Sequence, residues 1–316
     1  MIKVAILDDY QNVANKFIDW KLLKNKIDLT IFNDYIGKDR HLNEKLKEFE
    51  VLCLMRERTP LSKELIEQLP NLKLVVTSGM WNASIDNVAL KKKNITLCGT
   101  DTEISPTAEL TWTLIMIGWR GILTELENMR SGRWQTTIGR SLKGKTLGIF
   151  GLGKQGLQVA NFGKAFGMKT IAWSHNLKKA DCNRVGVEYV ECSDLFKKSD
   201  ILTIHTRLSD RTYGFVDMNK LNLMKKDAFL VNTSRGPIIK EIDLVTCLQN
   251  KRIGGAALDV FDIEPLPKDS NLRVIDNLIL TPHIGYVSSE SYSKFFKGYF
   301  LAIEAFIDGN FVNVID

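Results

Sequence analysis

The stretch KTLGIFGLGKQGLQVA, Lys145 to Ala160, carries the pattern from which the rest of the fold follows. Thr146–Phe150 is an apolar run of strand length, and a helical pattern begins soon after it. Between them stand Gly151, Gly153 and Gly156 in the arrangement G-x-G-x-x-G. Gly151 permits a tight turn, Gly153 lets a pyrophosphate approach the backbone, and Gly156 lets the helix pack closely on the strand. Phosphates would sit at the helix N-terminus, where unpaired N–H groups and the helix dipole favour negative charge. By itself the motif is weak, because a tight turn between strand and helix needs no ligand. The strand–turn–helix context makes dinucleotide binding the stronger reading.

Outward from this turn the chain alternates. Downstream, KTIAWS, ILTIHT, AFLVNT, GGAALDVF and LILTPH read as further strands, most of them separated by helical stretches. Upstream, KVAILDD, VLCLM, LKLVVTSG and ITLCGT read as strands, with NEKLKEF and SKELIEQLP as helices. Strands alternating with short helices imply βαβ units, so the class is α/β with doubly wound parallel sheets and ligand chemistry at the strands' carboxyl ends. One long helix is expected from Ser105-Pro106 to a stop at Gly132. It is apolar around much of its circumference, which predicts burial between domains or subunits. The tail SSESYSKFFKGYFLAIEAFIDG reads as one helix, capped by serine and ended by Gly309.

Bulk composition excludes several classes. The 316 residues are 44% hydrophobic and 25% charged, ordinary for a globular chain of about two domains. The net charge of +6 is spread along the chain, so a nucleic-acid partner is not expected, while an anionic small molecule is compatible. No apolar run is long enough for a membrane span, and the start has no signal-peptide shape. The five cysteines form no close pair, which excludes a disulfide framework and a metal knuckle and fits a reducing cytoplasm.

Three strand ends hold complementary side chains. FLVNTSRGPI places Arg235, ALDVFDIEP places Asp259 and Glu264, and LILTPHIGY places His283. Arg235 offers a planar donor fork for a carboxylate. A histidine can exchange a proton with a hydroxyl or carbonyl oxygen, and a glutamate beside it favours the imidazolium form. Each residue alone has a bland alternative as a surface, turn or structural residue. Three such types beside a dinucleotide turn favour a site.

These motifs, with TAELTWTL and LKGKTLGIFGLGKQG, resemble the D-isomer-specific 2-hydroxyacid dehydrogenases in order and spacing over nearly all the chain. This is the family of D-lactate, glyoxylate/hydroxypyruvate and 3-phosphoglycerate dehydrogenases. The resemblance implies a Rossmann nucleotide domain, residues 101–286, inserted into a flavodoxin-like substrate domain, residues 1–100 and 287–316. It implies that His283 protonates the carbonyl of a short 2-keto acid, that Glu264 keeps it charged, and that Arg235 binds the substrate carboxylate. It further implies that NAD or NADP is held by Thr107, Gly151, Gly153, Lys154, Gln155, Gly156, Ser174, His175, His205, Thr206, Arg207, Thr212, Thr233, Ser234, Asp259 and Gly285. Of these, Asp259 matches the residue that takes the nicotinamide carboxamide. A homodimer with its contact near the helix from Pro106 is implied too. A nucleotide-sensing, corepressor-like protein of the same fold is the alternative. Glutamate rather than glutamine at position 264 argues against a formate dehydrogenase.

The chain departs from the family pattern in the substrate loop, SGMWNASID, where Trp81 replaces a second glycine and Ala83 an aspartate. Backbone N–H groups at Ser78 and Gly79 are the expected carboxylate donors there. MRERTPL carries Arg56 and Arg58 around Glu57 and resembles the loop that phosphoglycerate dehydrogenases use for a phosphate, so a second anionic group on the substrate is expected. One of these arginines pairing with Glu57 at the surface is the plainer alternative. The other departure is TIAWSHN, where the acid expected about twenty residues after the glycine turn is replaced by Ser174, followed by His175, Asn176, Lys178 and Lys179. An acid there would bind the ribose 2′-OH and repel a 2′-phosphate; serine removes that barrier. The expected outcome is measurable use of NADPH alongside NADH. A kcat/KM with NADPH more than a thousandfold below that with NADH, on the order of 4 kcal/mol, would refute it.

Overall fold

The computed structural model describes residues 1–37 and 39–316 and resolves into two compact units. One contains Met1–Glu103 and Val287–Asp316, the other Ile104–Tyr286.

The smaller unit holds five parallel strands: β1 (Ile2–Ile6), β2 (Ile27–Ile31), β3 (Val51–Leu54), β4 (Leu74–Thr77) and β5 (Thr96–Gly99). Their order is β2-β1-β3-β4-β5, the flavodoxin-like arrangement, with its switch point between β1 and β3. β3 and β4 are buried throughout, as continuous apolar runs in a sheet covered on both faces should be. Sequence patterning misses β2. It is an edge strand whose Asp28 and Thr30 break the apolar run, with only Ile27 fully buried.

The tail helix, Ser289–Ile307, belongs to this unit. The Ser288 hydroxyl accepts from Ser291 N–H at 3.2 Å, which caps it as expected. Tyr292, Phe295, Phe296, Tyr299, Ala302 and Ile303 form its buried face at helical spacing. Each fully buried aromatic side chain contributes about 1.5–3 kcal/mol. The Tyr299 hydroxyl donates to the Leu54 carbonyl at 2.8 Å, so the polar tip of a fully buried ring is satisfied at the end of β3.

The larger unit holds β6 (Thr146–Phe150), β7 (Lys169–Trp173), β8 (Glu188–Tyr189), β9 (Ile201–Ile204), β10 (Phe229–Asn232), β11 (Gly255–Leu258) and β12 (Leu278–Leu280). The order is β12-β11-β10-β9-β6-β7-β8, all parallel, and it reverses between β6 and β9 as in a Rossmann sheet. β8 has two residues and pairs only at Ile171–Glu188 and Ala172–Tyr189, too short to leave a sequence pattern.

The long helix is two. Gly121 adopts a left-handed conformation, φ 65°, that ends Ser105–Arg120 and starts Ile122–Arg130. Ser105 is the first helical residue rather than the cap, and Pro106 still lies in the first turn, where a missing N–H costs nothing. Leu114, Ile115 and Trp119 pack with Leu147, Ile149 and Val231, so the first helix covers the sheet of its own unit. A Cβ on Gly118 would lie 2.2 Å from the Phe229 ring, so glycine is what lets helix and strand approach. The second helix leaves Leu123, Leu126 and Met129 exposed.

Candidate active site

The glycine turn at the end of β6 is shaped by two close approaches and one open space. At Gly151, φ 102°, a Cβ would meet the His205 and Thr206 backbone at 2.8 Å. At Gly156 it would meet the Gly151 carbonyl oxygen at 2.1 Å, so helix and turn touch only because the side chain is missing. Gly153 is different: a Cβ there would meet nothing within 4 Å. Packing therefore does not explain the second glycine of the motif, while a pyrophosphate laid on the backbone does. Gly153 caps the helix Lys154–Ala165 with no side-chain hydrogen bond, so the first N–H groups of that helix lack a side-chain acceptor. Lys154 is exposed and Gln155 half-buried at this end.

His205 follows β9 beside the turn. Its N–H donates to the Phe150 carbonyl at 2.8 Å, which fixes the backbone. Both ring nitrogens are sealed from solvent and have no hydrogen-bond partner among the described residues. Unpartnered buried nitrogens of this kind are uncommon in native proteins. Burial pushes its pKa down to about 4, so the ring is neutral near pH 7. The residues present thus fit a dinucleotide, on the open cradle at Gly153 and the helix N-terminus behind it.

β10, β11 and β12 are neighbours, and their carboxyl ends carry the three strand-end residues. After β10, Asn232 is fully buried and ties the turn: its amide donates to the Arg235 carbonyl at 2.9 Å and its oxygen accepts from Ser234 N–H at 3.0 Å. The Ser234 hydroxyl donates to the Thr206 carbonyl, and Thr233 shares a 2.7 Å hydrogen bond with Thr111. Arg235 donates to the Ser234 carbonyl at 2.7 Å. A Cβ on Gly236 would lie 2.1 Å from the Phe261 carbonyl carbon, so this glycine lets the Arg235 turn close against the segment leading to Glu264.

His283 and Glu264 meet directly, Nδ1 to Oε2 at 2.5 Å, while Glu264 Oε1 accepts from Phe261 N–H at 2.9 Å. The histidine ring stands edge-on to Tyr286 at 5.5 Å. His283 has φ 52°, an uncommon conformation for a residue with a Cβ. Asp259 imposes it. This carboxylate has no exposed surface, and it accepts from the Thr281 hydroxyl at 2.6 Å, Ile284 N–H at 2.9 Å and Gly285 N–H at 2.8 Å. Burial raises its pKa, and the three donors work against that rise. Thr107 closes the loop from the other side by donating to the Gly285 carbonyl at 2.9 Å. Asn232, Gly236 and Thr281 were not singled out in the sequence; the only signals were a short polar side chain beside a strand end for Asn232 and Thr281 and a glycine before Pro237 for Gly236.

Ser174 follows β7 directly and is half-buried, and His175 is exposed beside it. The Thr212 hydroxyl, by contrast, is spent inside its own loop, donating to the Arg207 carbonyl at 2.7 Å and accepting from Ser209 N–H at 2.8 Å. Arg207 is exposed at the base of that loop.

In the smaller unit, Arg58 and Arg56 separate in role. Arg58 donates to the Asp8 carbonyl at 2.6 Å, approaches the Tyr292 hydroxyl at 3.4 Å and lies 4.3 Å over the Tyr10 ring. Asp8 and Tyr10 follow β1 and Arg58 follows β3, so this network stands at the sheet's switch point. Arg56, φ 52°, is folded onto the Ser78 loop: its N–H donates to the Ser78 hydroxyl at 2.7 Å and its guanidinium to the Ser78 carbonyl at 2.9 Å. It lies 3.8 Å from Glu57, a loose contact with both side chains largely buried rather than a surface pair. The expected carboxylate donors are already committed, Ser78 N–H to the Leu54 carbonyl at 3.0 Å and Gly79 N–H to the Thr100 hydroxyl at 2.9 Å. Met80 and Trp81 come next, and Trp81 is 54% exposed, so it is not a packing residue of this unit.

Comparison with known proteins bears on this geometry. Residues 112–285 match the family model described as D-isomer specific 2-hydroxyacid dehydrogenase, NAD binding domain. The chain belongs to this family. Among its relatives, the glyoxylate reductase of Aeropyrum pernix is 35% identical over 86% of this chain and 84% of its own. A phosphoglycerate oxidoreductase from Vibrio cholerae superposes with a TM-score of 0.91 at 36% identity, over 98% of this chain and all of that one. The D-lactate dehydrogenase of Aquifex aeolicus, solved with NAD and lactic acid, superposes at 0.81 with 26% identity over 98% of both chains. The two-domain parallel-sheet architecture expected from the sequence is the architecture of this 2-hydroxyacid dehydrogenase family. Among the described residues, no helix is long and apolar enough to cross a membrane, and no three or more His, Cys, Asp or Glu side chains are grouped as metal ligands would be.

The buried ring of His205 has a consequence for stability. Its folded pKa of about 4 lies below the ordinary 6.5, so the unfolded chain binds more protons between those values. This contribution, on the order of 3 kcal/mol, is complete above about pH 6.5 and is lost as the pH falls towards 4. Calorimetry at pH 7 and pH 5 should show a smaller loss of unfolding free energy in His205→Leu than in the wild type. An identical pH slope in the two proteins would contradict it.

Proposed function

We propose that this protein interconverts a short 2-keto acid and its D-2-hydroxy acid with NAD(H) or NADP(H). The observation that carries the reading is the 2.5 Å contact between His283 and Glu264 beside the turn of Arg235. In this reading residues 104–286 hold the dinucleotide, which when bound supplies or accepts the hydride at C2. His283 Nε2 is the ring atom left for a proton, since Nδ1 faces Glu264. It gives that proton to the carbonyl oxygen during reduction and takes it back during oxidation. The Glu264 carboxylate stabilises the charged imidazole and fixes its tautomer. Arg235 pairs with the substrate carboxylate, for which a planar fork is suited. Asp259 acts from behind the site: its buried carboxylate holds the Thr281–Gly285 loop on which a carboxamide would lie. Thr107, Thr206, Thr233, Ser234 and Gly285 shape the same wall.

Activity is to be screened by nicotinamide absorbance over glyoxylate, hydroxypyruvate, 2-ketobutyrate, phosphohydroxypyruvate and 2-ketoglutarate. His283→Ala should lower kcat by about a hundred- to ten-thousandfold, and Arg235→Lys should act mainly by raising KM. Tight cofactor binding with no turnover of any acid would replace the enzyme by a nucleotide sensor.

The smaller unit supports a substrate with a second anionic group. Arg58, the cation at the switch point over the Tyr10 ring, is the group suited to it, and Arg56 shapes the loop that presents Met80 and Trp81. Arg58→Ala should raise KM for phosphohydroxypyruvate at least tenfold more than for glyoxylate. Equal effects on both would remove this part of the proposal.

A homodimer is supported by Leu126, Met129 and Trp134, exposed by 51%, 60% and 72% around a shallow groove of about 340 Å³. Patches of this kind mark association surfaces. Sedimentation should give twice the chain mass, and Leu126→Glu with Met129→Glu should halve it. A wild-type monomer at micromolar concentration ends the proposal.

A further inference from the structure

The residue that would discriminate NADPH from NADH is missing from the sequence neighbourhood of Ser174, where no arginine follows at once. The fold supplies one from elsewhere. Arg211 lies in the loop between β9 and β10, and its Nη1 donates to Asn176 Oδ1 at 3.3 Å. Burial, and after it the charge of this guanidinium, lowers the pKa of His175, the residue next to Ser174. An arginine 37 positions from Ser174 in sequence thus faces the turn after β7.

The turn is held in place. His175 stands 4.9 Å from the Trp173 ring and edge-on to Phe215 at 5.0 Å, and Trp173 stacks on Phe215 at 5.5 Å. Lys220 lies 4.4 Å over the other partner in this stack, Phe215. The Ser174 carbonyl accepts from Leu177 N–H at 3.1 Å, while its hydroxyl has no partner among the described residues. Nor does any carboxylate among them bond to Ser174, His175, Asn176 or Arg211. Asp181, the acid nearest along the chain after the turn, pairs with Arg184 at 3.3 Å, and Asp210 precedes Arg211. Lys178 and Lys179 are exposed on the same segment.

We propose that Arg211 receives the 2′-phosphate of NADPH, with the Ser174 hydroxyl as a second donor. The inference rests on the reading that a nicotinamide dinucleotide binds with its adenosine ribose at Ser174. A guanidinium pairs with phosphate through parallel N–H donors and keeps its charge at any working pH. Its present acceptor is a neutral amide at 3.3 Å, a long hydrogen bond that a dianionic phosphate exchanges favourably. Asn176 then serves as a rest that aims the guanidinium at the turn. Arg207 is not assigned this role. It is exposed at the base of the loop, its carbonyl holds Thr212, and among the described residues its guanidinium makes no hydrogen bond to the turn.

Isothermal titration of the full chain with NADPH, NADH, 2′,5′-ADP and 5′-AMP tests this without a known substrate. Arg211→Ala should weaken NADPH relative to NADH, and 2′,5′-ADP relative to 5′-AMP, by at least tenfold in Kd ratio. Arg211→Lys should restore part of the ratio, and Ser174→Asp should lower it independently. Arg211 is exposed, so unchanged melting of the variants checks that folding is intact. Unaltered ratios in Arg211→Ala, with NADPH still bound by the wild type, overturn the role of Arg211 and leave NADP use standing. A wild type that binds NADH and rejects NADPH overturns both the role and the reading of Ser174. A wild type that binds neither removes the dinucleotide site altogether.

Discussion

A carboxylate with no exposed surface accepts three hydrogen bonds from a five-residue loop on the neighbouring strand end, and the candidate site depends on that grip. Asp259 holds Thr281, Ile284 and Gly285, and the residue inside this bracket is His283, in a left-handed conformation. Backbone states of this kind cost about 1–3 kcal/mol and persist only where the surroundings over-determine them. Burial of an isolated carboxylate would be costly, and the three donors offset it. The conformation in turn sets Nδ1 against Glu264, whose other oxygen is tied to Phe261. Gly236 completes the arrangement, because any side chain there would force the Arg235 turn away from the Phe261–Asp262 backbone.

The polar groups of the larger unit fall into two kinds. Asn232, Thr233, Ser234 and Thr212 have their hydrogen bonds made within the protein, and they shape the turns rather than offering free donors. His205 and Gly153 are of the other kind: one buries two unpartnered nitrogens, the other leaves a space that no protein atom fills. Buried polar atoms without partners are rare in native proteins because desolvation is uncompensated. The open space at Gly153 marks where an external polar molecule fits, and His205 lies beside the same turn.

Arg56 and Arg58 of the smaller unit both make hydrogen bonds, but they stand at different places. Arg56 and the N–H groups of Ser78 and Gly79 are consumed in holding β3, β4 and β5 ends together, and Asn82 adds hydrogen bonds to the Arg56 carbonyl and the Thr77 hydroxyl. Arg58 donates to the Asp8 carbonyl, lies over the Tyr10 ring and approaches the Tyr292 hydroxyl, at the point where the strand order reverses. That is the place in an open parallel sheet where two loops diverge and leave room for a ligand.

Local pattern alone determined the strands that are buried on both faces, the glycine turn, the capped tail helix and the residue types at the ends of β10, β11 and β12. Each depends on a period or a conformational need that a few consecutive residues express. It missed β2 and β8, where an edge position or a two-residue length erases the period, and it joined two helices across Gly121, whose left-handed φ no apolar pattern reveals. Only the tertiary structure decided which polar groups are spent and which are left over. That depends on partners far apart in sequence: Asp259 on residues 281–285, Gly79 on Thr100, Ser174 and its neighbours on Arg211. The chain's residue types specify the chemistry available at each strand end, but a donor's availability follows from every acceptor the fold brings within 3 Å or so of it.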